Sequence, residues 1–449
     1  MSERLFGTDG IRGRAGAWPL VDEFLTVLGR AVGIRVLSQD AAAHVVIGHD
    51  GRASGPGIVA ALTSGLRGSG VSVHEVGLCT TPALAYLAAA GPFQAGVMVS
   101  ASHNPAEDNG IKLFGHDGAK FPDAAEVELE AAVKMPLPPA VRLSGARIQD
   151  PALLERYVAW LRDAFADLDL RGRRILVDCA QGGASQLAER VLDACGATPV
   201  PLNNQPDGAN INRDCGALHP EVAAREASAR NCDLGLSLDG DADRGMLVDG
   251  HGRVLDGDAL LAGLGRHHQN RGELANATVV ATVMSNLALE TWLASSGVRL
   301  LRTQVGDRFV AEAMRAGGHN LGGEKSGHLL FGQDHGWRGD GLYTLLRVLR
   351  VLSREGIGAA DFARGYQDFP QRLLNLKVTR RVPLEQLPAL AAENLLLSRE
   401  LEGRGRTVIR FSGTELRLRL MVEARDAALV DSALQRLAAA SRRDGILAE

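Results

Sequence analysis

The 449-residue chain has few cysteines, and none of the five (Cys79, Cys179, Cys195, Cys215, Cys232) falls in a C-x-x-C pair. Neither a zinc site nor a disulfide framework is expected, and a reducing compartment is. It also lacks an excess of positive charge. Forty-nine Lys and Arg against 53 Asp and Glu leave a net charge of −4, so no nucleic-acid partner is expected. No apolar run reaches about 18 residues, so no membrane span is expected. No signal-peptide pattern follows Met1-Ser2-Glu3-Arg4, and a cytoplasmic location is expected. What the chain does have is glycine, 53 residues, which implies many tight turns, some of them close to ligand. The length suits roughly two to four domains.

The first concentration of chemistry follows an apolar run. Ala95 to Val99 reads as a buried strand that breaks into Ser100-Ala101-Ser102-His103-Asn104-Pro105. Asn104-Pro105 cannot continue a strand or easily open a helix, because proline removes a donor and restricts its predecessor. Ser102 is therefore expected on a short exposed loop at the carboxyl end of a strand, where open α/β sheets carry their chemistry. Asp108-Asn109-Gly110 is expected to turn the chain into a second short strand, Ile111 to Phe114. His103 and Lys112 then flank the serine with groups that can move protons or hold phosphate. Taken alone, the same residues also describe a polar loop capped by proline.

A strand–turn–helix–strand order recurs three times. It appears at Val45 to Val76, where Ile58, Val59, Leu62 and Leu66 mark the helix face. It returns at Ile175 to Leu202, and again at Thr278 to Leu301. Each unit has the roughly 30 residues a βαβ crossover needs. Three similar α/β domains in tandem, each with a partly parallel sheet, are expected. The last part differs. Leu374 to Val378 and Thr407 to Phe411 read as strands, and Pro383 to Glu400 as a helix. Leu416, Leu418, Leu420 and Val422 alternate with Arg417, Arg419, Met421 and Glu423, the period of a half-buried strand. Asp426 is placed to cap a final helix carrying Leu429, Leu434 and Leu437. This is a small α+β domain built to close over something.

Between two strand-like runs lies Asp239-Gly240-Asp241-Ala242-Asp243-Arg244. Three carboxylates at alternate positions can aim oxygens at one hard cation. A calcium hand fails on spacing, since its glycine and glutamate positions hold Arg244 and Gly250. Crowded carboxylates cost about 4 kcal/mol per pair at ~4 Å and an effective dielectric near ~20. A divalent cation, most plausibly magnesium beside phosphate, removes that cost. Three further loops are polar. Gly7 to Gly13 surrounds Arg12, which suits either a plain turn or a guanidinium gripping phosphate. Gly322-Gly323-Glu324-Lys325-Ser326-Gly327-His328 offers donors and acceptors that suit sugar hydroxyls. Arg410-Phe411-Ser412-Gly413-Thr414-Glu415 has the makings of an anion nest.

Taken together, four signatures stand in one order: Ser102-His103-Asn104-Pro105, Asp239 to Arg244, Gly323-Glu324-Lys325-Ser326-Gly327-His328, and Ser412-Gly413-Thr414-Glu415. This resembles the α-D-phosphohexomutase superfamily along essentially the whole chain. Phe6 to Gly13, Thr282 to Asn286 and Val305-Gly306-Asp307-Arg308 are most similar to its bacterial members that act on glucosamine phosphates. The resemblance implies an α/β fold of three similar domains with mixed sheets plus a smaller C-terminal α+β domain, around a central cleft. The expected divisions are 1–158, 159–257, 258–368 and 369–449.

The resemblance further implies that Ser102 is carried as phosphoserine. One magnesium ion per subunit would be held by its phosphate with Asp239, Asp241 and Asp243. Arg244, His103 and Lys112, joined by Arg12, would contact the transferring phosphoryl group or shuttle protons. Glu324 and Ser326 would hold sugar hydroxyls, with Asp307 and Arg308 in the substrate-binding set. Arg410, Ser412, Gly413 and Thr414 would hold the phosphate that is not reacting. The implied reaction exchanges glucosamine 6-phosphate and glucosamine 1-phosphate through a 1,6-bisphosphate, for cell-wall precursor synthesis. The implied partner is a small sugar phosphate, with a second copy of the chain as a candidate in a homodimer. Preference for mannose or glucose, a phosphatase, and a non-catalytic sugar-phosphate sensor are the rivals. Three positions depart from the pattern: Lys325 stands where glutamine is usual, Leu416 where proline is, and Trp337-Arg338 where small hydroxyl residues are. In an extended loop neighbouring side chains point to opposite sides, so Lys325 is expected to face away from Glu324 and Ser326.

Overall fold

The structure is a computed structural model that describes residues 4–7, 9–135, 145–412 and 416–448. Four sheets follow one another along the chain. The first has six strands in the spatial order Ile11–Arg14, Asp108–Gly115, Ala95–Val99, His44–His49, Ser72–Leu78, Arg147–Gln149. Its centre is parallel, and Asp108–Gly115 runs antiparallel to both its neighbours. The second orders Val254–Leu255, Gly245–Asp249, Leu234–Leu238, Arg174–Asp178 and Thr198–Leu202. The third orders Arg299–Thr303, Thr278–Thr282, Leu321–Gly323 and Leu329–Phe331. The fourth is antiparallel throughout, with Arg417–Ala424 between Gln371–Lys377 and Gly405–Phe411. Two helices, Pro388–Glu400 and Ala427–Arg443, cover it. Three mixed α/β domains and a smaller α+β domain are the architecture that the repeats and the alternation led us to expect.

The apolar packing divides differently from the sheets. Val46 and Leu84 of the first domain, Ile175 and Leu236 of the second, and Val279 and Leu342 of the third belong to one continuous buried cluster. The fourth domain has its own, around Leu390, Leu397, Leu418, Leu420 and Leu437. Moving the first three domains apart would expose a shared core. Moving the fourth would not, which leaves its orientation to polar contacts.

Several elements are shifted from the expected pattern. Asp108-Asn109-Gly110 is not a turn. Arg12, Gly13 and Arg14 pair with Gly110, Asn109 and Asp108, which extends the strand over those residues and makes the glycine-rich opening an edge strand. The helix expected from Pro383 starts at Pro388, after a single 3₁₀ turn at Leu384–Gln386. Leu416 lies before its strand and is exposed, whereas Leu418, Leu420 and Val422 are buried. The division expected at 158 falls inside the helix Leu154–Ala164. Among the described residues no helix is long and apolar enough to cross a membrane.

Candidate active site

The serine loop hangs from the end of strand Ala95–Val99 and is held from behind. Ser100 Oγ donates to Asp50 (2.6 Å) and accepts from the backbone N–H of Ser102 (2.8 Å). Arg52, wholly buried, pairs with Asp50 at 2.9 Å. Its guanidinium donates to the carbonyls of Ser102, Asn104 and Asp108, each at 2.9 Å, and to that of Pro105. Asn212, from the second domain, donates to the Ser102 carbonyl as well, at 2.9 Å. So held, Ser102 takes a left-handed φ of 54° that aims its hydroxyl out of the strand line.

Exposure was expected for Ser102, and the structure overturns it: the residue is 1% exposed. The acidic loop of the second domain covers it. Gly240 is pressed so closely that a Cβ there would lie 2.6 Å from the Ser102 carbonyl oxygen. Sequence reasoning placed the serine at a strand end, but only packing of the second domain on the first could bury it.

Ser102 Oγ donates to Asp239 at 2.6 Å and lies 3.2 Å from His103 Nδ1. Asp239, Asp241 and Asp243 are buried, and one carboxylate oxygen from each lies within 4.8 Å of the others. Burial and the neighbouring Asp243 and Asp241 push Asp239 up to about 8. One oxygen each of Asp241 and Asp243 is buried without a hydrogen-bond partner. Three clustered carboxylates, two of them with a buried oxygen lacking a hydrogen-bond partner, fit a hard divalent cation.

Lys112 already neutralises part of this charge. Its ammonium is 2.8 Å from Asp241, 3.1 Å from Asp243 and 3.2 Å from Asp9. Burial opposes its charge, yet Asp241, Asp243 and Asp9 hold its pKa well above the usual value. Lys112 is thus held as a positive charge beside the aspartates. Burial, then Arg244 and Arg12, push His103 down to about 4, so its ring is neutral at pH 7. Arg244 Nε, buried and without a hydrogen-bond partner, lies 4.0 Å from Asp239 and 3.9 Å from Asp243. Arg12 pairs with Asp9 and reaches Ala101 O and Asn104 Oδ1, both at 3.3 Å.

The third domain forms the facing wall. Gly245 of the second domain donates to the Gly327 carbonyl at 3.0 Å, which seats the 322–328 loop against the acidic loop. Glu324 accepts from the Gly306 N–H at 3.1 Å, and burial raises its pKa. Ser326 Oγ is buried without a partner. His328 stands 3.6 Å from Asp243 and 3.7 Å from Asp307. Lys120 of the first domain spans Asp307 (2.6 Å) and Asp9 (2.5 Å).

Not every expected residue joins this group. Arg308 turns to the first domain, where Glu126 (3.1 Å), the Phe121 carbonyl (3.0 Å) and Asp123 take up its guanidinium. It braces an interdomain seam. Lys325 turns to Asp256 (2.7 Å), Asp258 (3.4 Å) and Asp368, but not through the extended backbone expected of the loop: residues 324–327 form a tight turn closed by the Gly327 N–H on the Glu324 carbonyl at 3.1 Å. Arg410 and Ser412 belong to the fourth domain's sheet edge, where Arg419 lies 3.3 Å from Ser412 Oγ. Gly413 and Thr414 lie outside the described residues. Sequence reasoning assigned no role to Asp9, Asp50, Arg52, Lys120 and Asn212. Asp50-Gly51-Arg52 carried a faint signal, an acid and an arginine two apart directly after a strand.

Models of the phosphoglucomutase/phosphomannomutase family match the chain in order. Domain I, alpha/beta/alpha, covers 3–136, domain II 155–252, domain III 256–369 and the C-terminal domain 373–440. The chain belongs to the phosphoglucomutase/phosphomannomutase family. This family member is 45% identical over 436 residues to a phosphoglucosamine mutase of an Anaeromyxobacter species, covering 95% of this chain and 92% of that protein. It is 43% identical over 434 residues to the phosphoglucosamine mutase of Koribacter versatilis, covering 95% and 94%. A crystal structure of a phosphoglucomutase/phosphomannomutase family protein from Burkholderia thailandensis superposes with a TM-score of 0.82 at 26% identity, covering 99% and 98%. The Aspergillus fumigatus N-acetylphosphoglucosamine mutase, solved with GlcNAc-6P and magnesium, shares the fold at a TM-score of 0.67 and 19% identity, covering 98% and 96%.

Proposed function

We propose that this phosphohexomutase interconverts glucosamine 6-phosphate and glucosamine 1-phosphate through phospho-Ser102 and a glucosamine 1,6-bisphosphate. The observation that carries the reading is the placement of Ser102 Oγ, 2.6 Å from Asp239 and 3.2 Å from His103, beside three clustered aspartates. The amino-sugar preference rests on the likeness to phosphoglucosamine mutases at 41–45% identity over nearly the whole chain. It is compatible with Lys325 being held away from Glu324 and Ser326.

In the forward half-reaction the C1 hydroxyl of the 6-phosphate attacks the phosphoryl group. A P–O1 bond forms, the P–Oγ bond of Ser102 breaks, and the serine oxygen takes up a proton. His103 Nδ1 is placed to exchange that proton. In the second half the bisphosphate turns over and returns its 6-phosphoryl group to Ser102. Phosphoryl transfer asks mainly for positioning and charge neutralisation. Asp239, Asp241 and Asp243, with the serine phosphate, would hold magnesium, which neutralises the phosphoryl oxygens. Lys112, Arg244 and Arg12 supply the fixed positive charge around them. Glu324 and Ser326 would hold sugar hydroxyls, and Arg410 with Ser412 the far phosphate.

Two measurements test the proposal together. Intact mass before and after phosphatase treatment should show one phosphate, lost in Ser102→Ala. Turnover of glucosamine, glucose and mannose 1-phosphates side by side should favour glucosamine. A wild-type preference for a neutral sugar would defeat the substrate assignment, and free phosphate release without isomerisation would show a phosphatase.

A further inference from the structure

We infer that Lys325 is a positioning residue that ties the sugar loop to the hinges on both sides of the third domain. Filling the loop and closing the fourth domain are thereby coupled. The inference rests on the reading of residues 322–328 as the sugar loop and of the fourth domain as the holder of the far phosphate.

Lys325 sits between Glu324 and Ser326, and the three side chains divide their work. Glu324 accepts from the Gly306 N–H and Ser326 Oγ is buried without a hydrogen-bond partner, while the Lys325 ammonium reaches Asp256 at 2.7 Å, Asp258 at 3.4 Å and Asp368. These partners lie at the two ends of the third domain. The match to domain II ends at 252 and that to domain III begins at 256. The match to domain III ends at 369 and that to the C-terminal domain begins at 373. One ammonium therefore spans the entry to the third domain and the exit from it.

The backbone is fixed at the same place. Gly257 donates to the Lys325 carbonyl at 3.0 Å. A Cβ on Gly257 would lie 1.9 Å from the Glu324 carbonyl oxygen, so the loop rests directly on the start of helix Gly257–Asn270.

The exit hinge is bonded into the same group. The buried Asp258 accepts from the Asn286 N–H at 2.8 Å. The Asn286 side chain in turn bonds both the N–H and the carbonyl of Phe369, each at 3.0 Å. Tyr366 donates to Asp368 at 2.7 Å. The fourth domain itself grips this corner. Arg406 donates to the carbonyls of Val283 (2.9 Å) and Ser285 (2.7 Å), just before Asn286. Because the fourth domain has a separate apolar core, polar contacts of this kind decide where it sits. Without the Lys325 ammonium, three carboxylates would face one another across the hinge and repel.

The test uses the full-length enzyme with Lys325→Met, Lys325→Arg, Asp368→Asn and the double variant Lys325→Met/Asp368→Asn. KM and kcat for glucosamine 1-phosphate are measured, with the fraction of turnovers that release free bisphosphate and the thermal midpoint. Lys325→Met and Asp368→Asn should each raise KM about tenfold and raise bisphosphate release, with kcat within about threefold. Lys325→Arg should restore both readouts, and the double variant should be no worse than the more affected single variant. Unchanged KM and release, or effects that multiply in the double variant, would overturn the coupling. So would loss of kcat in step with the thermal midpoint, the mark of a purely structural role. Should Lys325→Met fail to fold, Asp368→Asn, which keeps size and polarity, gives the same reading. Glu324→Gln and Ser326→Ala separate the two levels. If they leave KM unchanged, the sugar-loop reading falls and this inference with it. If they raise KM while the Lys325 and Asp368 variants do not, this inference falls alone.

Discussion

Arg52 and Ser102 lie on adjacent loops of the first domain, and the buried guanidinium of Arg52 holds the Ser102 carbonyl at 2.9 Å. The same side chain reaches the carbonyls of Asn104, Pro105 and Asp108, so one residue fixes the whole turn that presents the serine. Among the described residues its charge is balanced only by Asp50, at 2.9 Å, with no water exposure on either.

Arg52→Met is expected to be destabilising as well as inactivating. It leaves Asp50 charged and buried without its partner, a loss of about 3–5 kcal/mol for a broken buried pair. Arg52→Lys keeps the charge but not the fork, so it should retain more stability than activity. Urea denaturation beside kcat measurements distinguishes the two. Equal stability of Arg52→Met and wild type would contradict the buried pairing.

Ser102→Ala should take up no phosphate and show no turnover. Ser100→Ala should still be phosphorylated, because its hydroxyl only bridges Asp50 and the Ser102 N–H. With that bridge gone, turnover should fall about tenfold, the cost of roughly one hydrogen bond to a charged group. Peptide mapping that finds phosphate on Ser100 would reverse the assignment.

Magnesium should raise the unfolding midpoint of the wild-type protein, because it binds the folded aspartate cluster and not the unfolded chain. At about 100 times Kd the gain is about 2.7 kcal/mol. In Asp241→Asn the gain should be much smaller at the same concentration, since Asp241 contributes one of the two unpartnered oxygens. A chelator should remove activity and the stabilisation together. A magnesium response as large in Asp241→Asn as in wild type would remove Asp241 from the ligand set.

Acid sensitivity is expected from a histidine far from the cleft. Burial, then Arg347 and His267, push His268 down to about 3. Its Nε2 lies 3.0 Å from Arg347, where a neutral ring accepts. The unfolded chain binds a proton there near pH 6.5 and the folded chain does not, so stability is lost as pH falls below about 6.5. Between pH 7 and 5 the loss from this one group is about 2 kcal/mol. His268→Gln keeps an acceptor without the titration. Its stability should fall less over that interval, and a slope equal to that of wild type would place the acid sensitivity elsewhere.

The sequence by itself determined the parts of the site that are contiguous. The serine loop, the acidic loop and the sugar loop are each a run of a few polar residues that interrupts an apolar strand pattern. Such a run states its chemistry without any neighbour. The direction of Lys325 was expected from an extended backbone, but residues 324–327 form a turn closed by the Gly327 N–H on the Glu324 carbonyl at 3.1 Å, so its acidic partners and not strand alternation decide it. The repeated strand–helix order carried the three α/β domains.

Tertiary structure decided everything that joins distant positions. Lys120 and Asn212 have no local pattern, because their partners lie far away in the chain and hydrogen bonds carry no signal along the sequence. Asp108 to Gly110 looked like a turn until Arg12 to Arg14 paired with it, since strand pairing can override a local turn preference. Arg308 belonged by position to the substrate loop, yet Glu126 and the Phe121 carbonyl claim it. Ser102 is buried only because Gly240 of another domain lies against it, and burial is a property of the packed surface rather than of the residue.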